Sequence, residues 1–321
     1  MADALREIVD AVLANPGLRA KAEIALVGEA LGATDWLGGP GDDGAVVRAG
    51  GATVVACGEA LFPPFVAADP HGAGFAAVLT NVNDLAAMGA EPLGIVDTVV
   101  GTEDVARAAL EGMREAARLY DVPILGGHLT VHDGAPAISA FGVGSAPAPL
   151  SVTRAEPGQS LVVAAALEGE MRPDFPFFPA FRARGPRCAG DVRLFAALAR
   201  DGLCVAAKDI SMAGLVGSLA MLLEYRRLGV TVDLDAVPVP PGVPLVRWLN
   251  CFPSFGFLLC VPAGREDECL AAFGARDLAA AVVGTLDGSG QLALRRGVQV
   301  EPVLRLDEFR VTGLPRADRP G

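Results

Sequence analysis

Apolar residues recur at helical spacing from the start of the chain. Leu5, Ile8, Val9 and Val12 mark a helix over 2–14, and Ile24, Leu26, Val27 and Leu31 mark another over 18–31, with Pro16-Gly17 between them. Two β-rich runs follow, 45–47 and 53–56, joined by Ala49-Gly50-Gly51 as a hairpin. Small and apolar residues at helical spacing predict a helix over 71–88, which Glu91-Pro92 stops before a strand over 93–100. Thr102-Glu103-Asp104 opens a capped helix running to 119. VPIL (122–125) and AISAFGVG (137–144) read as strands, with Gly126-Gly127 as a turn after the first.

The stretch around 146–158, PAPLSVTRAEPGQ, is the best linker, so the pattern predicts two domains, 1–150 and 151–321. The second begins with the strand LVVAAAL and then carries a surface loop over 171–187. Helices over 190–200 and 213–228, a strand over 255–261, a helix over 264–273 and a closing hairpin of 280–286 with 291–295 complete it. Strands and helices mixed in both halves predict an α/β or α+β two-domain fold.

Composition narrows the partners. A chain of 321 residues has the length of two domains at about 150 residues each. Its 26 Lys and Arg against 38 Asp and Glu leave a net charge of −12, which repels phosphate backbones, and no basic patch offsets it. Nucleic acid is therefore not an expected partner. Six cysteines without a C-x-x-C pair read as reduced core residues of a cytoplasmic protein. Asp3, Glu7 and Asp10 argue against a signal peptide. The longest uncharged run, Gly134–Thr153, is broken by Pro136, Pro147 and Pro149, so no membrane helix is expected.

Four segments carry candidate chemistry. In Gly41-Asp42-Asp43-Gly44, preceded by Gly38-Gly39-Pro40, adjacent carboxylates on a glycine-bared backbone suit a hard cation such as Mg²⁺; a polar hairpin entry is the plainer reading. In NVNDLAAMGA, Asn81, Asn83 and Asp84 interrupt an apolar helix, as a face meeting a ligand or metal does, or as the cap of a shorter helix from 84. Gly126-Gly127-His128 places bare backbone N–H groups after a strand, where an anion can approach. His128, His132 and Asp133 also suggest zinc, although no Cys pair lies nearby. Lys208 and Asp209, one of them among only two lysines in the chain, precede a helix N-terminus that attracts phosphate or is simply capped. There is no Walker motif, so any ATP is held in another way.

In this order, GDDGAVV, NVNDLAAMGAEP, GGHLT and KDISMAGL resemble the AIR synthetase-like (PurM-like) ATP-binding superfamily, over roughly residues 35–290. Within it the chain most resembles the AIR synthase-related branch, and it is similar to thiamine-monophosphate kinase, selenophosphate synthetase and the hydrogenase-maturation carbamoyl dehydratase. The resemblance implies an N-terminal domain that dimerises through its sheet into a β-barrel, a C-terminal α+β domain, and ATP with Mg²⁺ in a cleft between domains. It implies that Asp42, Asp43 and Asp84 hold metal, with Glu59 in place of a further Asp. Gly41, Asn81, Asn83, Gly126, Gly127 and Lys208 are the implied nucleotide contacts, and His128 and Asp209 the implied catalytic groups. The relatives' Asp is absent at His128 and Met212, no Cys precedes Cys57, and the chain ends ADRPG without a terminal Cys, so no named substrate carries over.

The expectation is a Mg²⁺- and ATP-dependent enzyme, a homodimer, that activates a small-molecule amide, carbonyl or phosphate oxygen by phosphoryl transfer. Such chemistry chiefly needs charge neutralisation and alignment. The alternative is a nucleotide-binding subunit or sensor without turnover.

Overall fold

The computed structural model describes residues 2–31 and 41–314; the Gly38-Gly39-Pro40 approach to the acidic pair and the terminal ADRPG lie outside the described residues. The chain divides into two compact units at Asp42/Asp43 and Pro149/Leu150, the second point lying at the linker. Residues up to Asp42 group with the C-terminal unit, because the helix Ala2–Leu13 packs on its sheet. Arg184–Arg200 group with the N-terminal unit, where the helix Arg187–Arg200 packs on two others.

In the N-terminal unit five strands form one sheet: β1 (Ala45–Ala49), β2 (Ala52–Ala60), β3 (Glu91–Gly101), β4 (Ile124–Val131) and β5 (Ala137–Ser145), in the order β1-β2-β5-β3-β4. Only β3 and β4 run parallel, and the helix Glu103–Tyr120 makes the crossover that such a pair requires. That helix is capped by Thr102, whose side chain accepts from the Val105 N–H, and it ends at Asp121 in a left-handed conformation (φ 51°). Arg193 covers its last carbonyls, donating to Tyr120 O (2.9 Å) and Asp121 O (2.6 Å). Alternate residues of the strands, Val55, Cys57, Ile95, Val99, Ile138 and Ala140, are buried on the helix-covered face.

Gly126-Gly127 is not a turn. Both residues lie inside β4, where a register shift between Ile95 and Val96 marks a bulge and Gly126 adopts φ 154°. The strand runs on because β3 supplies pairing partners as far as Gly101, which no local pattern announces.

In the C-terminal unit β6 (Ser160–Ala165), β8 (Ala206–Asp209), β9 (Gly229–Asp233), β11 (Gly256–Val261), β12 (Ala279–Asp287), β13 (Gln291–Arg296) and β14 (Gln299–Arg305) form a sheet in the order β14-β13-β9-β12-β6-β11-β8. The expected hairpin of 280–286 with 291–295 does not form, since β9 lies between β12 and β13 and pairs with both. The true hairpin is β13 with β14. The 171–187 segment is more than a surface loop: β7 (Phe177–Phe178) pairs in parallel with β10 (Phe252–Pro253), and the fully buried Phe178 packs edge-on against Trp248 at 5.3 Å. The helix expected over 18–31 is broken into Pro16–Ala20, a 3-10 turn Lys21–Ile24 and Ala25–Leu31, and Leu26 and Leu31 stay exposed.

Arg184 and Asp191, both buried, form a bidentate ion pair at 2.6 and 3.2 Å in the N-terminal unit. Removing one partner strands the other charge in a dry interior, at a cost of about 3–5 kcal/mol. Asp191→Ala is therefore expected to lower the unfolding free energy by about that amount, read by urea denaturation, with the Arg184→Met, Asp191→Leu pair recovering most of the loss.

Candidate metal and nucleotide site

The N-terminal unit brings two distant carboxylates together. Asp43 precedes β1 and Asp84 lies in the last turn of the helix Pro70–Ala87, yet their carboxylate oxygens come within 4.8 Å of one another. Gly44 allows this approach. A Cβ there would stand 2.8 Å from Val55 Cγ1 and 3.3 Å from Met88 Cγ, so any larger residue would push the strand away from the helix end.

The helix itself is pinned by Asn81. Its side chain is fully buried: Nδ2 donates to Ala77 O (2.8 Å) and Ala140 O (3.2 Å), while Oδ1 accepts from Gly142 N (2.7 Å) and from the Cys57 thiol (3.2 Å). These bonds tie helix, β2 and β5 at one point, so the amide serves position. The helix runs unbroken through residue 84, so no cap at that point explains the polar cluster. Asn83, also buried, stands two residues and about 200° around the helix from Asn81, away from the sheet.

The electrostatics point to the same corner. Burial pushes the Cys57 thiol well above its ordinary pKa, and the neighbouring negative charges of Asp84, Asp43 and Glu59 push it further. Glu59, exposed, lies two residues beyond Cys57 on the same face of β2. A group of oxygen donors beside a thiol that stays protonated suits a hard cation and not a soft one.

The other expected residues are placed as follows. Asp42 belongs with the C-terminal unit, where Oδ2 accepts from Ser151 Oγ and Oδ1 from Val152 N, both at 2.7 Å, anchoring the turn Val152–Arg154. Gly41 (φ 109°) is in the same unit, and its carbonyl accepts from Lys208 Nζ at 3.3 Å. Lys208 and Asp209 are buried at the end of β8 and not at a helix N-terminus; the following helix starts only at Gly214. His128 pairs with Thr98 on the open face of the sheet, opposite the face that carries Cys57. His128 and His132 stand four residues apart on extended chain, about 13 Å, and with Asp133 they make no metal-binding group among the described residues.

Asp97 escaped the sequence reading. It is a buried carboxylate in β3 between the fully buried Ile95 and Val99. The signal was a polar residue breaking an apolar alternation.

The AIR synthase related protein N-terminal domain matches residues 41–146, and its C-terminal domain matches 181–297. The chain belongs to the AIR synthase-related family. Within this family it is 33% identical over 276 residues to the uncharacterized protein sll0787 of Synechocystis sp., covering 85% of this chain and 86% of that one. It is 33% identical over 170 residues to the thiamine-monophosphate kinase of Rhodopirellula baltica, covering 52% and 50%. The structure of T. maritima PurL complexed with ATP superposes with a TM-score of 0.72 at 20% identity, covering 89% of this chain and 49% of PurL. The chain thus spans about half the length of PurL, a likeness of fold. The family resemblance read from GDDG and NDLAAMGAEP holds, and the two-domain PurM-like architecture with it.

Asn81→Ala leaves the buried Gly142 N–H without its acceptor, at about 1–3 kcal/mol per orphaned group. The variant is expected to lose about 2–3 kcal/mol of stability by chemical denaturation and to expose the Cys57 thiol to a thiol reagent that the native protein resists.

Proposed function

We propose that the protein is a Mg²⁺-dependent ATP-binding enzyme that activates a small-molecule amide, carbonyl or phosphate oxygen by phosphoryl transfer. The observation that carries this reading is the approach of Asp43 and Asp84 to within 4.8 Å from positions 41 residues apart in sequence. An all-oxygen donor pair that close fits Mg²⁺. When bound, the ion would neutralise triphosphate charge and align the terminal phosphoryl group. Asp43 and Asp84 would hold it, with Glu59 facing the same corner. Asp42 in this reading anchors the acidic turn, and Asn81 positions the helix. ATP bound to the PurL relative and the kinase name of another relative support a nucleotide as the co-substrate.

We also read the protein as a homodimer. The face of the five-stranded sheet opposite Cys57 exposes the apolar Val47, Val96 and Phe141. Contiguous exposed apolar surface marks an association site.

Asp43→Asn and Asp84→Asn are each expected to weaken Mg·AMPPNP binding about 10- to 100-fold, the loss of one or two charge-assisted contacts. Calorimetry on variants of unchanged circular dichroism tests this, and wild-type affinity in both would overturn the reading. Sedimentation is expected to give twice the 32.8 kDa chain mass, and Phe141→Glu to give the single-chain mass.

A further inference from the structure

The carboxylate of Asp97 occupies a position that the fold reserves for aliphatic side chains. Its neighbours on the same face of β3, Ile95 and Val99, are both fully buried, and Asp97 itself is 5% exposed. Among the described residues none donates a hydrogen bond to it or forms an ion pair with it, and burial alone shifts its pKa upward. A structural aspartate at such a place draws N–H or O–H donors from the protein. This one draws none among the described residues.

Its surroundings are open on one side. Gly127 stands opposite Asp97 in β4, and a Cβ there would come within 2.5 Å of Asp97 Oδ1. The carboxylate therefore lies over the Gly127 backbone, on an edge strand whose eight residues are all exposed. Any side chain at 127 would close that approach. Asp97, Ala140 and Glu59 are register partners across β3, β5 and β2, so they share one face of the sheet. Two strand spacings separate Asp97 from Glu59, about 10 Å, the span of a small metabolite.

We propose that Asp97 is the recognition residue for the acceptor molecule: a hydroxyl, amide N–H or ammonium group of that small molecule donates to the Asp97 carboxylate across the bare Gly127 backbone. The ligand supplies the partner that the fold withholds. The inference rests on the phosphoryl-transfer reading for calling that molecule an acceptor.

The test follows the ¹³Cγ resonance of Asp97 through a pH titration of the full chain, alone and with ribose, glycinamide or ethanolamine as probes. A donor bound to the ionised carboxylate favours that form, so at least one probe is expected to lower the Asp97 midpoint by about one unit. Gly127→Ala is expected to abolish the response. Asp97→Leu, which replaces a carboxylate on the apolar face of β3 by a side chain like its neighbours Ile95 and Val99, is expected to raise the thermal midpoint and to keep Mg·AMPPNP affinity within twofold. No shift with any probe, or a lowered thermal midpoint in Asp97→Leu, overturns the inference. Failure of wild-type protein to bind Mg·AMPPNP would sink the phosphoryl-transfer reading while leaving the probe response to stand by itself.

Discussion

Two carboxylates within 4.8 Å of one another repel, and the N-terminal unit is built to hold Asp43 and Asp84 in that relation. One comes from a loop before the first strand and the other from the end of a helix. Neither local conformation sets the distance between them. It is set by a close backbone approach at Gly44 and by the four hydrogen bonds of Asn81, which join the helix to β2 and β5. A fully satisfied buried amide is rigid, because any sliding of helix against sheet breaks several bonds together. The acidic corner inherits that rigidity, and a preorganised oxygen pair is what a cation of strict geometry requires.

The Asp42-Asp43 dipeptide shows how adjacency in sequence dissolves in the fold. The two carboxylates are chemically identical neighbours, yet one caps a turn at Ser151–Val152 and the other faces Asp84. Asp42 gives its oxygens to Ser151 and Val152 of its own unit. Asp43, in the other unit, is set against the helix end by the glycine that follows it. A similar division separates Asn81 from Asn83: both are buried on one helix, but about 200° apart, and only the first is aimed at the sheet.

Glycines act as spacers throughout this unit, and their meaning depends on what lies opposite. Gly126-Gly127 has the composition of a turn, yet β3 offers a continuous ladder and the pair becomes part of an edge strand. There the missing side chain at Gly127 makes room for the Asp97 carboxylate. His128, the next residue, then points by simple alternation to the opposite, open face.

The chain's own pattern determined the elements with strong local periodicity: the helices near 71–88 and 103–119, the strands at 93–100 and 137–144, and the mixed α/β class all match what folds. It also singled out Asp43 and Asp84, because carboxylates beside glycines or inside an apolar helix conflict with local preference and so stand out. Tertiary structure alone decided the rest. Strand order placed β9 between β12 and β13, short strands such as β8 and β9 gained their identity only from their partners, and register chose which face each of Asp97, Gly127 and His128 occupies. Periodicity is a property of neighbours along the chain, whereas pairing, register and the distance between two carboxylates depend on which distant segments lie side by side.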